Sequence, residues 1–218
     1  MHISISAMDM VDAEHIVRKV DFPAMQDGPL YRLMFPSRGA MTEAQQNEII
    51  RWYAEGLRVA LRRKTDNLLQ ICASDGTPLG FCGWTMEQRL RPSIRPSPAQ
   101  YAPGQQSLPE ALDRSAWLSV SSDLRKERER VLKGLGDVCR LTFMSVHPHH
   151  QRHGLGSTLL KRVCDEIDKL GRPTFVMASP AGVRLYAKFG FDVVGTVETC
   201  EGTLTSMLRR SRPRYGRF

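Results

Sequence analysis

Residues 139–191 read CRLTFMSVHPHHQRHGLGSTLLKRVCDEIDKLGRPTFVMASPAGVRLYAKFGF, and this stretch decides the fold. Its first eight residues, 139–146, are apolar or β-forming, and His147-Pro148 ends the run. A glycine-containing loop follows, and apolar residues then recur at helical spacing, at Leu155, Leu159, Val163, Ile167 and Leu170. Gly171 and Pro173 are typical of a helix end. The pattern therefore predicts a strand, a tight loop and an amphipathic helix.

The remainder of this stretch repeats the alternation of strand and helix. Residues 174–177 form a short apolar run of the kind found in buried strands. Ser179-Pro180 then offers an N-cap and a proline at the first helical position, and Gly190 closes the helix. Residues 139–191 are thus predicted to form strand, loop, helix, strand and helix.

The loop 151–156, QRHGLG, leads directly into the first of these helices. The first amides of a helix are unpaired, the helix dipole is positive there, and glycine lets a ligand approach the backbone. Such a loop favours a phosphate group. The dinucleotide fingerprint would need a third glycine at position 159, which is Leu159, and Lys161 is not spaced as a P-loop lysine. Neither nucleotide motif fits.

Two landmarks in this stretch resemble a known family. The loop 151–156, preceded by Val146-His147-Pro148, is similar to the Q/R-x-x-G-x-G/A loop of the GCN5-related N-acetyltransferases, the GNAT superfamily. Residues 179–191, SPAGVRLYAKFGF, resemble the A-x-x-L-Y-x-K-x-G-F segment of the same family. The two landmarks stand in the family's order, a helix and a strand apart, which makes the resemblance specific.

The resemblance implies the GNAT fold, a mixed α/β (α+β) architecture with a twisted sheet of about six to seven strands and flanking helices. The residues outside 139–191 agree with that order. Thr42 and Gln45 form a capping box that opens a long helix to about residue 64. Strands are predicted at 2–6, 68–73, 79–86, 191–197 and 203–208. We expect residues 1–218 to form a single acetyltransferase domain.

Two segments are harder to place from the sequence. Residues 21–40 contain three prolines and two glycines and are predicted to be largely loop; the aromatic residues Phe22, Tyr31 and Phe35 either line an acceptor pocket or pin this loop to the core. Residues 89–137 form an insertion relative to the family, between the third and fourth strands. Its first half is proline-rich, and a helix is predicted over 110–132. We expect the segment 91–133 to be a lid or wall over the acceptor site, anchored by Trp117.

The resemblance also implies a binding site for acetyl-CoA, used as co-substrate. Main-chain groups of the fourth strand would pair with pantetheine and polarise the thioester, and the loop and first helical turn would hold the pyrophosphate. The implied CoA-binding residues are Met144, Ser145, Val146, Gln151, Arg152, His153, Gly154, Leu155, Gly156, Ser157, Thr158, Ser179, Gly182, Tyr186 and Phe189.

Catalytic roles follow from the same resemblance. Tyr186 matches the family tyrosine that protonates the leaving thiolate, and a phenol with a pKa of about 10 is protonated at neutral pH. Ser179 occupies a position where many members have asparagine, and its use as a helix N-cap is the favoured interpretation. Glu87, at the end of the preceding strand, is the predicted general base, with a water-relayed path as the alternative.

Four histidines lie close together, at positions 147, 149, 150 and 153. Imidazole is a common transition-metal ligand, but four histidines within one short loop rarely converge on one ion, and no carboxylate or cysteine lies beside them. The sequence therefore predicts no metal, and His153 is expected to lie beside the phosphates.

Bulk properties narrow the class of protein. The 218 residues carry a net charge of +8, and the basic residues are spread along the chain rather than interleaved with aromatics, which argues against nucleic acid as a partner. A basic surface would also steer the anionic CoA. The five cysteines form no C-x-x-C pair, no apolar run is long enough to span a bilayer, and the N-terminus lacks a secretory pattern. These features predict a cytoplasmic protein without a membrane partner, and they do not exclude the nucleus.

Three functions are compatible with this reading. The preferred one is transfer of an acetyl group from acetyl-CoA to a primary amine of a small molecule, directly within a ternary complex. The second is acetylation of protein N-termini or lysines, and the third is a CoA-binding module without activity. A homodimer is also compatible with the sequence.

Overall fold

A computed structural model describes residues 2–63, 66–87 and 108–211. They form a seven-stranded mixed sheet in the order β1-β2-β3-β4-β5-β7-β6. The strands are β1 (Ile3–Ala7), β2 (Asp66–Ala73), β3 (Pro78–Glu87), β4 (Val138–Val146), β5 (Thr174–Ala178), β6 (Asp192–Thr199) and β7 (Gly202–Arg209). The prediction of a mixed sheet of six to seven strands is confirmed.

Helices cover both faces of this sheet. In chain order they are α1 (Ala13–Ile16), α2 (Phe22–Met25), α3 (Pro29–Met34), α4 (Glu43–Arg62), α5 (Arg114–Leu132), α6 (Leu155–Leu170) and α7 (Pro180–Lys188). A π-helical turn, Val17–Asp21, joins α1 to α2, and short 3-10 turns occur at Met10–Asp12, Arg38–Ala40 and Pro148–His150. Among the described residues, no helix is long and apolar enough to cross a membrane.

The apolar core divides into two main clusters. Neighbouring residues of a strand point to opposite faces of a sheet, so Phe81 joins one cluster and Cys82 the other, and both are fully buried. The first cluster holds the buried residues of the first 60 positions, including those of α4. The second holds the apolar stripe of α6, together with Tyr186 of α7. The first cluster therefore lies on the face of the sheet that carries α4, and the second lies on the face that carries α6 and α7.

The two central parallel strands separate soon after they begin. Within the described residues, the β4–β5 ladder consists of the pairs Cys139–Thr174 and Arg140–Phe175. On its other side, β4 stays paired with β3 as far as Val146, with a bulge opposite Gly83 and Trp84. Beyond Arg140, the edge of β4 that faces β5 consequently diverges from it. We call this opening the fork; it is bounded by residues 141–146 of β4 and 176–178 of β5.

Helix α5, the helix of the predicted insertion, packs against α3 and α4 and against the strands β6 and β7. Trp117 contacts Trp52 of α4 edge to face, with ring centroids 6.0 Å apart. At the other end of α5, Glu127 accepts a hydrogen bond from the buried Ser206 of β7 at 2.5 Å, and Arg130 donates to the carbonyl of Val194 at 2.7 Å. These contacts fix α5 as a wall beside α3 and the β6–β7 hairpin.

Most predicted element boundaries agree with the structure, but the prediction for residues 21–40 is wrong. Helices α2 and α3 occupy much of this segment. Its prolines were interpreted as helix breakers, yet Pro23 and Pro29 lie in the first turn of α2 and α3, where a missing N–H costs nothing. In α5, the buried apolar residues are Val120 and Leu132. The proline-rich part of the predicted insertion, 91–107, lies outside the described residues.

Candidate active site

The loop after β4 presents backbone amides at the start of α6. Gly154 is the N-cap residue, in the left-handed conformation at φ +86°, and Arg152 is also left-handed at φ +65°. The first helical hydrogen bond runs from the Thr158 amide to the Gly154 carbonyl at 2.9 Å. The amides of Leu155, Gly156 and Ser157 precede it and point out of the helix end. This arrangement can receive a pyrophosphate, as the sequence predicted.

Side chains hold this loop against the sheet. Gln151 donates from its amide Nε2 to the carbonyl of Val146 at 3.0 Å, which ties the loop to the end of β4. A Cβ added at Gly156 would lie 3.3 Å from Leu185 and 3.7 Å from Val146, so glycine lets the first turn of α6 approach both β4 and α7. The loop is therefore positioned by packing on its neighbours.

Replacing Gly154 with alanine is expected to raise the KM for acetyl-CoA about tenfold, because an L-residue in the left-handed region costs about 1–2 kcal/mol and the amides would shift to relieve the strain. Gly171 offers a matched control, since it ends the same helix with φ +63°. Both variants should lose similar stability in thermal denaturation. Only Gly154→Ala should weaken acetyl-CoA, and equal KM values in the two variants would contradict a role for this loop in binding.

Met144, Ser145 and Val146, the predicted pantetheine partners, line the fork. Their β3 partners are Cys82, Phe81 and Gly80, so one edge of this segment is occupied by the sheet. All three residues are half-buried. Because β5 has already diverged at this point, the second edge of β4 is available for hydrogen bonds to an extended ligand.

Tyr186 lies in the core cluster behind the fork. It is 5% exposed, and its ring packs on Phe191 with centroids 5.6 Å apart. Burial raises the pKa of its phenol, and the neighbouring Cys82 thiol acts in the same direction. Tyr186 therefore stays protonated across the neutral range, as a proton donor must. A Cβ at Gly182 would lie 3.0 Å from the tyrosine ring, so glycine makes room for it one helical turn earlier.

The other predicted residues of α7 differ in their environments. Ser179 is the N-cap residue by backbone geometry, but within the described residues its hydroxyl makes no capping hydrogen bond. The interpretation of Ser179 as the N-cap residue is therefore confirmed by its position, and its carbonyl accepts a hydrogen bond from the Gly182 amide at 2.9 Å. Phe189 is partly buried against the same cluster as Tyr186, and its carbonyl accepts a hydrogen bond from Arg209 at 2.9 Å.

Glu87 lies beside the opposite end of β4 from the loop 151–156. It pairs in register with Val138, whereas Gly80 of the same strand pairs with Val146. Its carboxylate binds Arg140 at 2.6 Å and is 3.7 Å from Arg128. Both of these partners are guanidinium groups. The structure gives Glu87 a place in an ion-pair network that joins β3, β4 and α5.

A carboxylate that the sequence analysis did not consider lies beside the fork. Asp21 ends the π-helical turn and is 9% exposed. Ser145 of β4 donates a hydrogen bond from Oγ to Asp21 Oδ1 at 2.5 Å. Burial raises the Asp21 pKa from 3.8 to about 6, although the hydrogen bond from Ser145 partly opposes this. No sequence signal set Asp21 apart, because residues 17–22 read VRKVDF and also contain Arg18 and Lys19.

A pocket of about 210 Å³ lies between α2, α3 and the start of α4, and Phe22, the residue after Asp21, lines it. Its lining residues are Phe22, Gln26, Asp27, Tyr31, Arg38, Gly39, Met41 and Gln46. Two of the three predicted pocket aromatics, Phe22 and Tyr31, are among them. They also pack on each other with centroids 6.0 Å apart, whereas Phe35 is fully buried. The aromatic residues therefore both pin the segment and shape the pocket.

The histidines form a stacked group at the end of β4. The ring of His147 lies 5.1 Å from that of His149 and 5.4 Å from that of His150, measured between centroids. Burial and these two neighbours lower the His147 pKa. His153 Nδ1 lies 2.7 Å from the carbonyl of Gln151, inside the CoA loop. Among the described residues, no group of three or more histidine, cysteine, aspartate or glutamate side chains could hold a metal ion.

Comparison with protein families identifies the domain. The family model for the acetyltransferase (GNAT) domain matches residues 127–207, which hold both sequence landmarks and the fork. Residues 127–207 are therefore similar to a GNAT acetyltransferase domain. Acetyl-CoA-dependent acyltransferase is the enzyme class of that domain. A comparison with curated protein sequences found no significant match.

Solved structures share the fold of this protein over nearly its whole length. The PaiA N-acetyltransferase of Thermoplasma acidophilum, in complex with coenzyme A, is 16% identical with a TM-score of 0.56, covering 96% of this chain and 99% of that one. Arylalkylamine N-acetyltransferase 2 of Aedes aegypti is 12% identical with a TM-score of 0.65, and the match covers 97% of this chain and 100% of that one. The ribosomal-protein-S18-alanine N-acetyltransferase of Escherichia coli is 16% identical with a TM-score of 0.50, and the match covers 100% of both chains. At these identities the similarity establishes the fold.

Proposed function

We propose that this GNAT enzyme transfers the acetyl group of acetyl-CoA directly to a primary amine of a small molecule, within a ternary complex. The observation that carries the proposal is a pocket of about 210 Å³ between α2, α3 and the start of α4. A concave pocket of this size fits a compact molecule better than it fits a protein chain that carries a lysine or a free N-terminus. Structural relatives include an arylalkylamine N-acetyltransferase, which supports the same substrate class.

The charge around the pocket favours an amine. Asp27 lines it, and the buried carboxyl of Asp21 precedes the lining residue Phe22. The aromatic rings of Phe22 and Tyr31 provide the apolar surface that would hold the body of the substrate. Arg38 is the cationic residue of the lining, and it lies near Tyr31. The pocket thus combines an apolar wall with one carboxylate, Asp27, that could pair with an ammonium group.

Acyl transfer would use the fork and this pocket together. The loop 151–158 holds the pyrophosphate, and the free edge of β4 aligns the pantetheine so that its thioester lies between β4 and β5. The backbone N–H groups of residues 144–146 polarise the carbonyl. Tyr186 then donates a proton to the departing thiolate. These roles agree with the burial of the phenol and the divergence of the two strands.

The decisive experiment measures thiol release from acetyl-CoA with a panel of arylalkylamines, polyamines and amino sugars, and in parallel with peptides bearing a free N-terminus or an internal lysine. We expect turnover with small amines and none with peptides. Turnover restricted to peptides would establish the alternative of a protein acetyltransferase. Tight CoA binding without turnover in either panel would indicate a CoA-binding module.

A further inference from the structure

We infer that Ser145 and Asp21 form a two-residue proton relay, in which the Ser145 hydroxyl accepts the proton of the acceptor amine and passes its own to Asp21. This inference rests on the proposed amine acetylation and assigns the general base of that reaction. It replaces the sequence-based prediction of Glu87.

The position of Ser145 is the first support. It lies on β4 between Met144 and Val146, within the segment that borders the fork, and it is half-buried. Its side chain leaves β4 on the face that carries Asp21, because the two are hydrogen-bonded at 2.5 Å. The π-helical turn and α2 pack on β4 on that face, and α2 contributes Phe22 to the proposed acceptor pocket. Ser145 therefore belongs to the strand edge proposed to bind the thioester, and its partner Asp21 belongs to the segment that leads to the proposed acceptor pocket.

The second support is the state of Asp21. An ionised carboxylate that is buried normally has cationic partners. Even Asp168, whose side chain is 30% exposed, binds Arg209 at 2.8 Å. Asp21 instead has a hydroxyl partner. Such a carboxylate holds a proton more readily than a surface carboxylate does. It can therefore accept the proton of the Ser145 hydroxyl to which it is hydrogen-bonded. The π-helical turn that presents Asp21 is a rare backbone form that occurs frequently at functional sites.

The groups described as facing Asp21 carry no charge, so burial and the Ser145 hydrogen bond are the causes that act on its pKa. Ser145 faces it from β4, and Tyr53 faces it from α4, with Tyr31 of α3 behind. The nearest residue of β3 is Phe81, the register partner of Ser145. On its own turn, Arg18 and Lys19 are exposed, and Arg18 binds Glu14 at 3.2 Å. On the opposite side of the pair, Tyr53 is a neutral phenol because burial and the Asp21 charge raise its pKa.

The reaction balances with this relay. The ammonium R–NH₃⁺ gives one proton to Ser145 Oγ while the Ser145 proton moves to Asp21, which leaves a neutral amine. The amine nitrogen attacks the thioester carbon, the C–N bond forms, and the C–S bond breaks. Tyr186 gives its proton to the thiolate, and the second proton lost by the nitrogen restores the phenol of Tyr186. The products are the amide and CoA–SH, and Asp21 releases its proton to solvent.

The test compares Asp21→Asn and Ser145→Ala with the parent enzyme, using the best amine from the acceptor panel between pH 5 and 9. The parent kcat/KM should rise with pH through an apparent pKa of about 6, since the deprotonated base is the active form. Asp21→Asn should lose this acidic limb and about 100-fold of kcat, with the Kd of CoA unchanged. Ser145→Ala should show the same pattern, and the exposed Asp165→Asn should behave as the parent.

A weakly basic acceptor gives a second measurement that a purely structural role would not affect. Hydroxylamine is uncharged at pH 7, so its acetylation needs no base to produce the free amine, and Asp21→Asn should lose far less activity with it. An acidic limb that persists in Asp21→Asn, or that disappears in Glu87→Gln instead, overturns the relay. A parent enzyme that binds CoA but acetylates no amine would refute the proposed function, and the relay with it.

Discussion

Asp21→Asn is expected to be more stable than the parent protein at pH 8, by as much as about 3 kcal/mol. The reason is that folding raises the pKa of this carboxyl from 3.8 to about 6. Above pH 6 the folded protein holds a buried negative charge whose hydration it has lost. Asparagine keeps the shape and can still accept the hydrogen bond of Ser145, but it carries no charge.

The pH dependence of this gain has a definite sign. Between pH 3.8 and about 6, the folded state binds more protons at Asp21 than the unfolded state does, so this group makes stability fall as pH rises. Below pH 3.8 the carboxyl is protonated in both states, and the advantage of Asp21→Asn should vanish. Urea denaturation of both proteins at pH 4 and pH 8 measures the difference. The exposed Asp165→Asn should change stability by less than about 0.5 kcal/mol at either pH.

A variant that is less stable than the parent at pH 8 would contradict this account, because it would mean that Asp21 has a stabilising partner in its ionised form. The expected result also has a functional meaning. Residues retained at a cost in stability are typical of active sites, since their properties are set by the reaction. A stabilised Asp21→Asn with reduced turnover would show that cost directly.

Tyr186→Phe is expected to lower kcat about 100-fold while leaving the Kd of acetyl-CoA unchanged. The ring is 5% exposed and packs on Phe191, and phenylalanine preserves this packing. What is lost is the phenolic proton, which serves the leaving thiolate only after the C–S bond begins to break. The loss should therefore appear in kcat rather than in binding.

Steady-state kinetics and calorimetric titration of acetyl-CoA measure these two quantities. Because burial raises the Tyr186 pKa, the phenol should contribute no titration between pH 5 and 9. The parent and Tyr186→Phe should then share the same acidic limb. Phe191→Leu is a useful packing control, because it loosens the tyrosine ring without removing its hydroxyl, and it should cost much less than 100-fold. An unchanged kcat in Tyr186→Phe would remove this residue from the mechanism.

The donor side of the site could be predicted from sequence because its signals are local. A glycine with φ +86° at a helix start, a helix with apolar residues at regular spacing, and a proline after Ser179 each depend on neighbouring residues. The hairpins and the capping box at Thr42 are of the same kind. Such features predict where the backbone turns and where a phosphate can approach it.

The acceptor side could not be predicted, because its parts meet only in three dimensions. Asp21 and Ser145 are 124 positions apart, and no periodic pattern connects them. The prolines of 21–40 suggested a loop, although proline in a first helical turn is favourable, so α2 and α3 were missed. Glu87 was chosen because of its place at a strand end, and its partners are Arg140 of β4 and Arg128 of α5. Carboxylate chemistry is decided by such neighbours.

The divergence of β4 and β5 also affects how the protein folds and responds to its co-substrate. The sheet consists of a four-stranded part, β1 to β4, and a three-stranded part, β5 to β7, which in the described residues share a ladder of two residue pairs. Beyond these two residue pairs, the packing of the helices must hold the two parts of the sheet together. A pantetheine chain lying along β4 would supply interactions that a continuous ladder would otherwise provide. Bound CoA should therefore make unfolding of the two parts more cooperative, as an added strand would.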